Sequence, residues 1–372
     1  MKKVLLVATV QSHIGQFHKP LINMLHENGY QVDVAARDNL GQKNGLTLTE
    51  PDNIHNVCFS RSPFNLKNIK AYKELKRIIK TNKYDIVHCN TPVGGILTRM
   101  ACNKMRKKGE IKVIYEVHGF HFFKGGSKKN WMIWYPVEKY FSKQTNVLVT
   151  TNQMDYELAL EKFTKTKVEK VPGVGIELDK FINAEKNYSL KEELGLKDDD
   201  FVLLSVGELN KNKNHEVVLR ALAKLNNKKI HYLICGNGPL QDYLEELISK
   251  LNLNGQVHLL GYRRDIASIC KVSDVFMFPS KREGLGMASI EAMSTGLPII
   301  TSDRHGINDY SVDGVTGFKY NPNDIDGFAE GISKLMNDPE LRNKMGEDNK
   351  EVAKRFSTEN AMKAIKEVYE KL

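Results

Sequence analysis

The chain has 372 residues, 41% of them hydrophobic and 27% charged, with a net charge of +10. That length suggests two domains of ordinary size, because single cores usually stop growing before it. No stretch nears the roughly 18 apolar residues of a spanning helix. The five cysteines (Cys58, Cys89, Cys102, Cys235, Cys270) contain no CxxC, which argues against a zinc framework or disulfides and fits a reducing compartment.

The opening "MKKVLLVATVQSHIG" shares a charged tip and apolar run with signal peptides. It is valine-rich and lacks a small-residue cleavage site, so it reads as a first buried strand. Apolar, β-branched runs then recur at 4–10, 31–36, 85–90, 112–119 and 146–151, and again at 201–207, 230–236, 257–261, 275–280 and 298–303. Their continuous apolar character suits strands buried on both faces. Intervening pieces such as "FHKPLINMLHENG" (17–29) are amphipathic and stop at glycine. Strand–helix alternation thus occurs twice, predicting an α/β chain of two Rossmann-like domains with a cleft between them. The expected boundaries are 1–182, 183–356 and a C-terminal helix, 357–372, packing back on the first domain.

Charge is uneven. Residues 1–180 hold 29 Lys+Arg against 16 Asp+Glu, a net of +13, and the remainder 26 against 29, a net of −3. A basic half can meet anionic lipid, a phosphorylated substrate or nucleic acid. The last is disfavoured, because no helix-turn-helix, RRM or zinc pattern is present. Lys-rich segments at 65–83, 103–112 and 123–135 place Leu66, Ile69, Leu75, Ile78, Ile79, Trp131, Trp134 and Tyr135 among the cations, as an anionic membrane surface would require.

The stretch "REGLGMASIEAMSTGLPII" (282–300) sets Glu283 before a helix and Glu291 inside it. The unpaired N–H groups at a helix start attract anions, and helical side chains lean toward that end. Both carboxylates can then face one small volume beside a phosphate, where they suit vicinal hydroxyls. A nucleotide sugar supplies that whole set. The triplets "DDD" (198–200) and "DID" (324–326) could suggest a metal, but Asp326 reads as a helix cap and the other lies in a charged turn. No metal is expected.

"PSKREGLGMASIEAMSTGLPIITSD" resembles the E-x7-E signature of family 4 glycosyltransferases with the GT-B fold: α/β, two Rossmann-like domains facing each other across a cleft. "VLLVATVQSHIGQFHKPLINMLHENGY", "DIVHCNTPVGGI", "VIYEVHGFHF", "VPGVGIELDKF", "SVGELNKNKNH", "ICGNGPL" and "LGYRRDIASICKVSDVFMFPS" match in order across nearly the whole chain. The set looks most similar to the capsule and exopolysaccharide branch.

The resemblance implies retaining transfer of a hexosyl or N-acetylhexosaminyl group from a nucleotide sugar, UDP being favoured, to a glycan or lipid-linked acceptor. No cofactor is expected to be required, domain closure over the donor is expected, and the basic first half points to a cytoplasmic enzyme peripheral to the inner membrane face. Carried over by position, Glu291 holds the ribose hydroxyls and Glu283 faces the donor sugar. The backbone of Leu285, Gly286 and Met287 contacts phosphates and sugar, Lys213 binds phosphate, and Gly15 forms the first glycine turn. His118 lies near the reacting sugar, and Tyr262 and Arg263 near the base. Two departures stand out: Glu208 occupies the position of a common arginine, which Arg282 could replace, and Gly15 is single where many relatives have a pair. A nucleotide-sugar epimerase on the same fold is a rival, disfavoured by the basic first half. A non-catalytic nucleotide-sugar-binding protein is another, disfavoured by retention of Glu283, Glu291 and Lys213.

Overall fold

The computed structural model describes residues 1–42 and 45–372. The chain forms two compact units, 1–175 with 358–372, and 176–357. The first unit runs β1 (Lys3–Val10), α1 (Gln11–Phe17), α2 (Lys19–Glu27), β2 (Gln31–Arg37), β3 (Asn53–Asn56), α3 (Lys67–Asn82), β4 (Ile86–Cys89), α4 (Pro92–Lys107), β5 (Lys112–Val117), α5 (Lys128–Ser142), β6 (Val147–Thr150), α6 (Gln153–Lys162) and β7 (Lys167–Lys170). The second runs α7 (Leu178–Ile182), α8 (Tyr188–Glu193), β8 (Phe201–Val206), α9 (His215–Leu225), β9 (Ile230–Cys235), α10 (Gln241–Lys250), β10 (Val257–Gly261), α11 (Ile266–Cys270), β11 (Val275–Phe278), α12 (Met287–Ser294), β12 (Ile299–Ser302), β13 (Gly317–Tyr320), α13 (Ile325–Asn337) and α14 (Pro339–Lys354). The last helix, α15 (Thr358–Glu370), returns to the first unit.

Each unit is built on one wholly parallel sheet, ordered β3-β2-β1-β4-β5-β6-β7 and β10-β9-β8-β11-β12-β13. Central strands such as β1 and β9 are buried on both faces, which is why they read as continuous apolar runs. The strand order reverses between β1 and β4, and again between β8 and β11. In open α/β sheets ligands bind outside the carboxyl ends of strands at such switch points. Four loops or helix starts are thereby singled out: 11–18, 90–94, 207–213 and 279–286.

The boundary falls earlier than the expected 182/183. Ile176 pairs with Ser357, its N–H donating to the Phe356 carbonyl, and α7 packs on α11 and α12, so 176–182 belongs to the second unit. The terminal helix α15 lies against α2, and its Ile365, Val368 and Tyr369 share a core with Val4, Leu6, Val32 and Val34.

Two local expectations change. No glycine turn follows β1: α1 starts directly after Val10, and Gly15 sits buried inside it, where an added Cβ would lie 3.2 Å from the Thr47 carbonyl oxygen. Asp324, not Asp326, caps α13 by accepting from the Gly327 N–H, while Asp326 pairs with Lys224. In the acidic turn at 198–200, Asp199 pairs with Lys229 and Asp200 lies 3.3 Å from His231.

Candidate functional site

In the second unit, Gly286 stands just before α12 as its N-cap, with a left-handed φ of 86°. A Cβ there would stand 2.6 Å from the Phe278 ring and 2.8 Å from the Tyr310 hydroxyl, so both conformation and space require glycine. Among the described residues no side chain caps this helix and no acid occupies its first turn; the Ser289 N–H turns back to the Gly286 carbonyl, and the positive dipole end is open to an anion. Leu285, just before it, is buried in the core under the loop.

The two glutamates keep different company. Glu283 accepts from Lys213 Nζ at 2.7 Å, and the Lys213 amine lies 4.8 Å from the centre of the Phe278 ring. The cation expected to meet phosphate is therefore held by the carboxylate expected to meet sugar. Glu291 points its carboxylate at no hydrogen-bond partner among the described residues. Burial raises its carboxyl to about 7, an effect that the Lys180 charge only partly offsets. Arg263 is bound bidentately to Asp265, at 2.9 and 2.6 Å, and Asp265 also accepts from Asn187. This arginine is thus a brace between β10 and α11 in the free protein rather than an open cation. Tyr262 beside it is exposed. Arg282 lies in the 279–286 loop, where its carbonyl accepts from Asn212, and Glu208 accepts from the Asn210 amide.

In the first unit, His118 follows β5 directly. Its Nε2 lies 3.1 Å from Asn90 Oδ1 and 3.6 Å from Glu116 Oε1. Glu116 is buried, and its other oxygen lies 3.0 Å from His88 Nε2, in a geometry bent away from a regular hydrogen bond. His88 Nδ1 meets the Tyr369 hydroxyl of α15 at 2.9 Å. A line Tyr369–His88–Glu116–His118 thus runs from the last helix to the rim of the sheet. Burial alone would raise the Glu116 carboxyl, but the charges of His118 and His18 and the contact with His88 bring it well below the usual carboxylate range. His13 and His18 flank His118, with ring centroids 5.1 and 5.7 Å away. Only His118 of this group is picked out by sequence. His13 and His18, five residues apart, carry a spacing that could have drawn notice, whereas Glu116 and Tyr369 carry no signal beyond their positions.

Beside the histidines, a cavity of about 450 Å³ is lined by Ser12, His13, Arg61, Thr91, His121 and Trp134. His121 and Trp134 stack at 4.7 Å, giving the pocket a flat aromatic wall.

These titrations set a pH dependence. Burial lowers His13, His118, His18 (to about 3) and His215 (to about 4). The unfolded chain takes up those protons near pH 6.5, so it binds more protons than the folded chain below that value. The contribution is complete above about pH 6.5 and is lost as pH falls toward the folded values. Glu291 acts oppositely: its raised carboxyl stabilises at low pH and loses that contribution as pH rises from about 4.5 toward 7. The histidines outnumber it. Stability by urea titration is expected to fall by at least about 2 kcal/mol between pH 7 and 5, and more steeply in Glu291→Gln. A flat profile would contradict the buried neutral histidines.

Comparison with known proteins gives concordant matches. The family model described as "Glycosyl transferases group 1" matches residues 187–352, and "Glycosyl transferase 4-like" matches 3–152. EpsD of Bacillus subtilis, named as a glycosyltransferase, is 36% identical over 99% of this chain and 96% of its own length. The UDP-Gal:α-D-GlcNAc-diphosphoundecaprenol α-1,3-galactosyltransferase of Escherichia coli is 32% identical over 82% of this chain and 80% of its own. The structure of HepE from Anabaena in complex with UDP and glucose superposes with a TM-score of 0.78, at 19% identity, over 100% of both chains.

Proposed function

Because the chain belongs to the group 1 glycosyltransferases of GT-B fold, in the capsule and exopolysaccharide branch, we propose that it moves a hexosyl or N-acetylhexosaminyl group from UDP, with retention, onto a lipid-linked saccharide. The observation that carries this reading is the open tip of α12, with Glu291, which has no hydrogen-bond partner among the described residues, one turn inside it. In this reading the backbone at Leu285, Gly286 and Met287 receives the diphosphate. Lys213 leaves Glu283 to meet it, and the freed carboxylate takes a sugar hydroxyl. Glu291 accepts from the ribose diol. The leaving diphosphate is stabilised by fixed N–H dipoles and one ammonium, so no metal cofactor is required. The UDP of HepE and the diphosphoundecaprenol-linked acceptor of the E. coli relative support the choice of substrates.

The first unit is the acceptor side. A saccharide face stacks on Trp134 in the cavity, with Arg61 placed for an acceptor phosphate and His118 next to His13 of its lining. Calorimetry with UDP tests the donor half. Glu291→Ala leaves two hydroxyls without an acceptor and is expected to weaken UDP by about 1–3 kcal/mol. Glu283→Gln is expected to bind UDP nearly normally and to transfer slowly. Unchanged affinity in Glu291→Ala would remove the ribose assignment, and equal loss of binding and transfer in Glu283→Gln would remove the sugar assignment.

A lipid-linked acceptor suits a protein that docks on the cytoplasmic face of an anionic membrane. No helix among the described residues is long and apolar enough to cross one. The aromatics expected at such an interface, Trp131, Trp134 and Tyr135, instead pack on the core, as do Leu75 and Ile79. Exposed apolar groups in and beside these segments include Phe64, Leu66 and Ile69, at 88%, 79% and 56%, beside Lys67 and Lys70, and Met132 next to Lys128 and Lys129. Each lysine near an anionic surface contributes up to about 1 kcal/mol. Co-sedimentation with phosphatidylserine vesicles is expected at low salt, weakened in Phe64→Ser/Leu66→Ser and released by salt. Indifference to anionic lipid would assign a soluble acceptor.

A further inference from the structure

We propose that His13, His18 and His118 form a binding site for one divalent transition-metal ion of the zinc type, on the carboxyl-end rim of the first sheet. Nothing in the donor reading assigns His13 or His18, and the proposal rests on no step of the transfer reaction.

The geometry is specific. One ring nitrogen from each of the three imidazoles lies within 4.8 Å of the other two. His13 Nε2 and His18 Nε2 are 3.4 Å apart. Tetrahedral zinc with Zn–N bonds of about 2.0–2.1 Å separates its nitrogen ligands by about 3.3–3.4 Å. The His13–His18 pair already has the edge of that tetrahedron, and the third ring needs only a side-chain adjustment to complete a face. His13 lies in α1, His18 joins α1 to α2, and His118 follows β5, so the ligands are held by secondary structure on three sides.

The surroundings are those of a metal site. His118 Nε2 meets Asn90 Oδ1 at 3.1 Å and is approached by Glu116. An imidazole whose far nitrogen is held by a carboxylate or amide is the usual outer support of a metal-bound histidine. The buried Glu116 places a negative charge beside the site. Three nitrogens leave the fourth position to water or to an oxygen in the adjoining cavity, which His13 also lines. The alternative occupant of this space is a plain hydrogen bond between two neutral rings, and that arrangement makes no use of the third.

Titration of the full chain with Co²⁺ decides it. The expected result is one tight site with the visible bands of a four-coordinate nitrogen and oxygen set, and without the near-ultraviolet band of a thiolate from the half-buried Cys58. Competition with Zn²⁺ against a chromophoric chelator is expected to show binding weakened more than about 100-fold in His13→Gln. It is expected to weaken by about 10–100-fold in Glu116→Gln, where only an outer partner is lost. His13 is half-buried, so the variant is expected to fold, and far-ultraviolet dichroism checks this. His231 and His258, whose ring nitrogens lie 3.3 Å apart in the second unit, provide the control. Loss of the Co²⁺ site in His258→Gln but not in His13→Gln, a thiolate band, or no stoichiometric binding would each overturn the proposal.

Discussion

Lys213→Met is expected to lower kcat/KM for sugar transfer by about 10²–10³-fold, with kcat carrying most of the loss. The side chain is a prepared cation. An added Cβ at Gly207 would stand 2.9 Å from Lys213 Cε, so the absence of a side chain there makes room for the lysine stem. The ammonium rests over Phe278 and on Glu283, close to the strand end from which the α12 loop departs. Methionine keeps the stem and removes the charge, so in the proposed reading the leaving diphosphate loses the Lys213 ammonium while the packing survives. The variant also leaves Glu283 without its cation, and the double variant Lys213→Met/Glu283→Gln separates the two effects. If Lys213 acts on the diphosphate, the double variant stays at least as slow as the single one. Recovery of activity in the double variant, or a loss below about fivefold in the single one, would reduce Lys213 to a counter-ion of Glu283.

Arg99→Met is expected to destabilise the first unit by about 3–5 kcal/mol, measured by urea titration at pH 7. Arg99 is fully buried in α4. Its Nε donates to the Gly95 carbonyl at 3.0 Å and its Nη1 to Glu138 Oε2 at 3.0 Å, and its guanidinium lies 3.8 Å from the centre of the Tyr115 ring. The Tyr115 hydroxyl donates to the other Glu138 oxygen. Removing the arginine strands a buried carboxylate with one hydroxyl for company, the costly way to break such a pair. Arg99→Met/Glu138→Met removes both charges and is expected to recover most of the loss. Because folded domains are stable by only about 5–15 kcal/mol, the single change would be felt in yield as well as in the titration. A single-variant loss below about 1 kcal/mol would show that Glu138 finds water.

The central strands were legible because both their faces are buried, which writes an uninterrupted apolar run into β1, β8 or β11. The strands β3 (NIHN), β7 (KVEK) and β13 (GFKY) lie at sheet edges, half exposed, and their polar letters look like loop. The segment 11–17 was polar enough to read as a turn and folded as a helix, because its start follows β1 without a break. Glu283, Gly286 and Glu291 could be placed from one contiguous stretch. The histidine cluster could not, since its members come from α1, the α1–α2 junction, β4 and β5, and only folding assembles them. Arg99 and Glu138 were invisible for a related reason: 39 positions apart, each looks like an ordinary surface charge until the other is found.

The return of the last helix has a consequence for synthesis. The first unit lacks α15 until the whole intervening unit, 176–357, has left the ribosome, which at about 5–20 residues per second takes roughly 10–40 s. Throughout that interval the face formed by Val4, Leu6, Val32 and Val34 waits without Ile365, Val368 and Tyr369, and His88 without the Tyr369 hydroxyl. The nascent first unit therefore exposes apolar surface throughout that interval, and the histidine line at the sheet rim is completed only once α15 has been made.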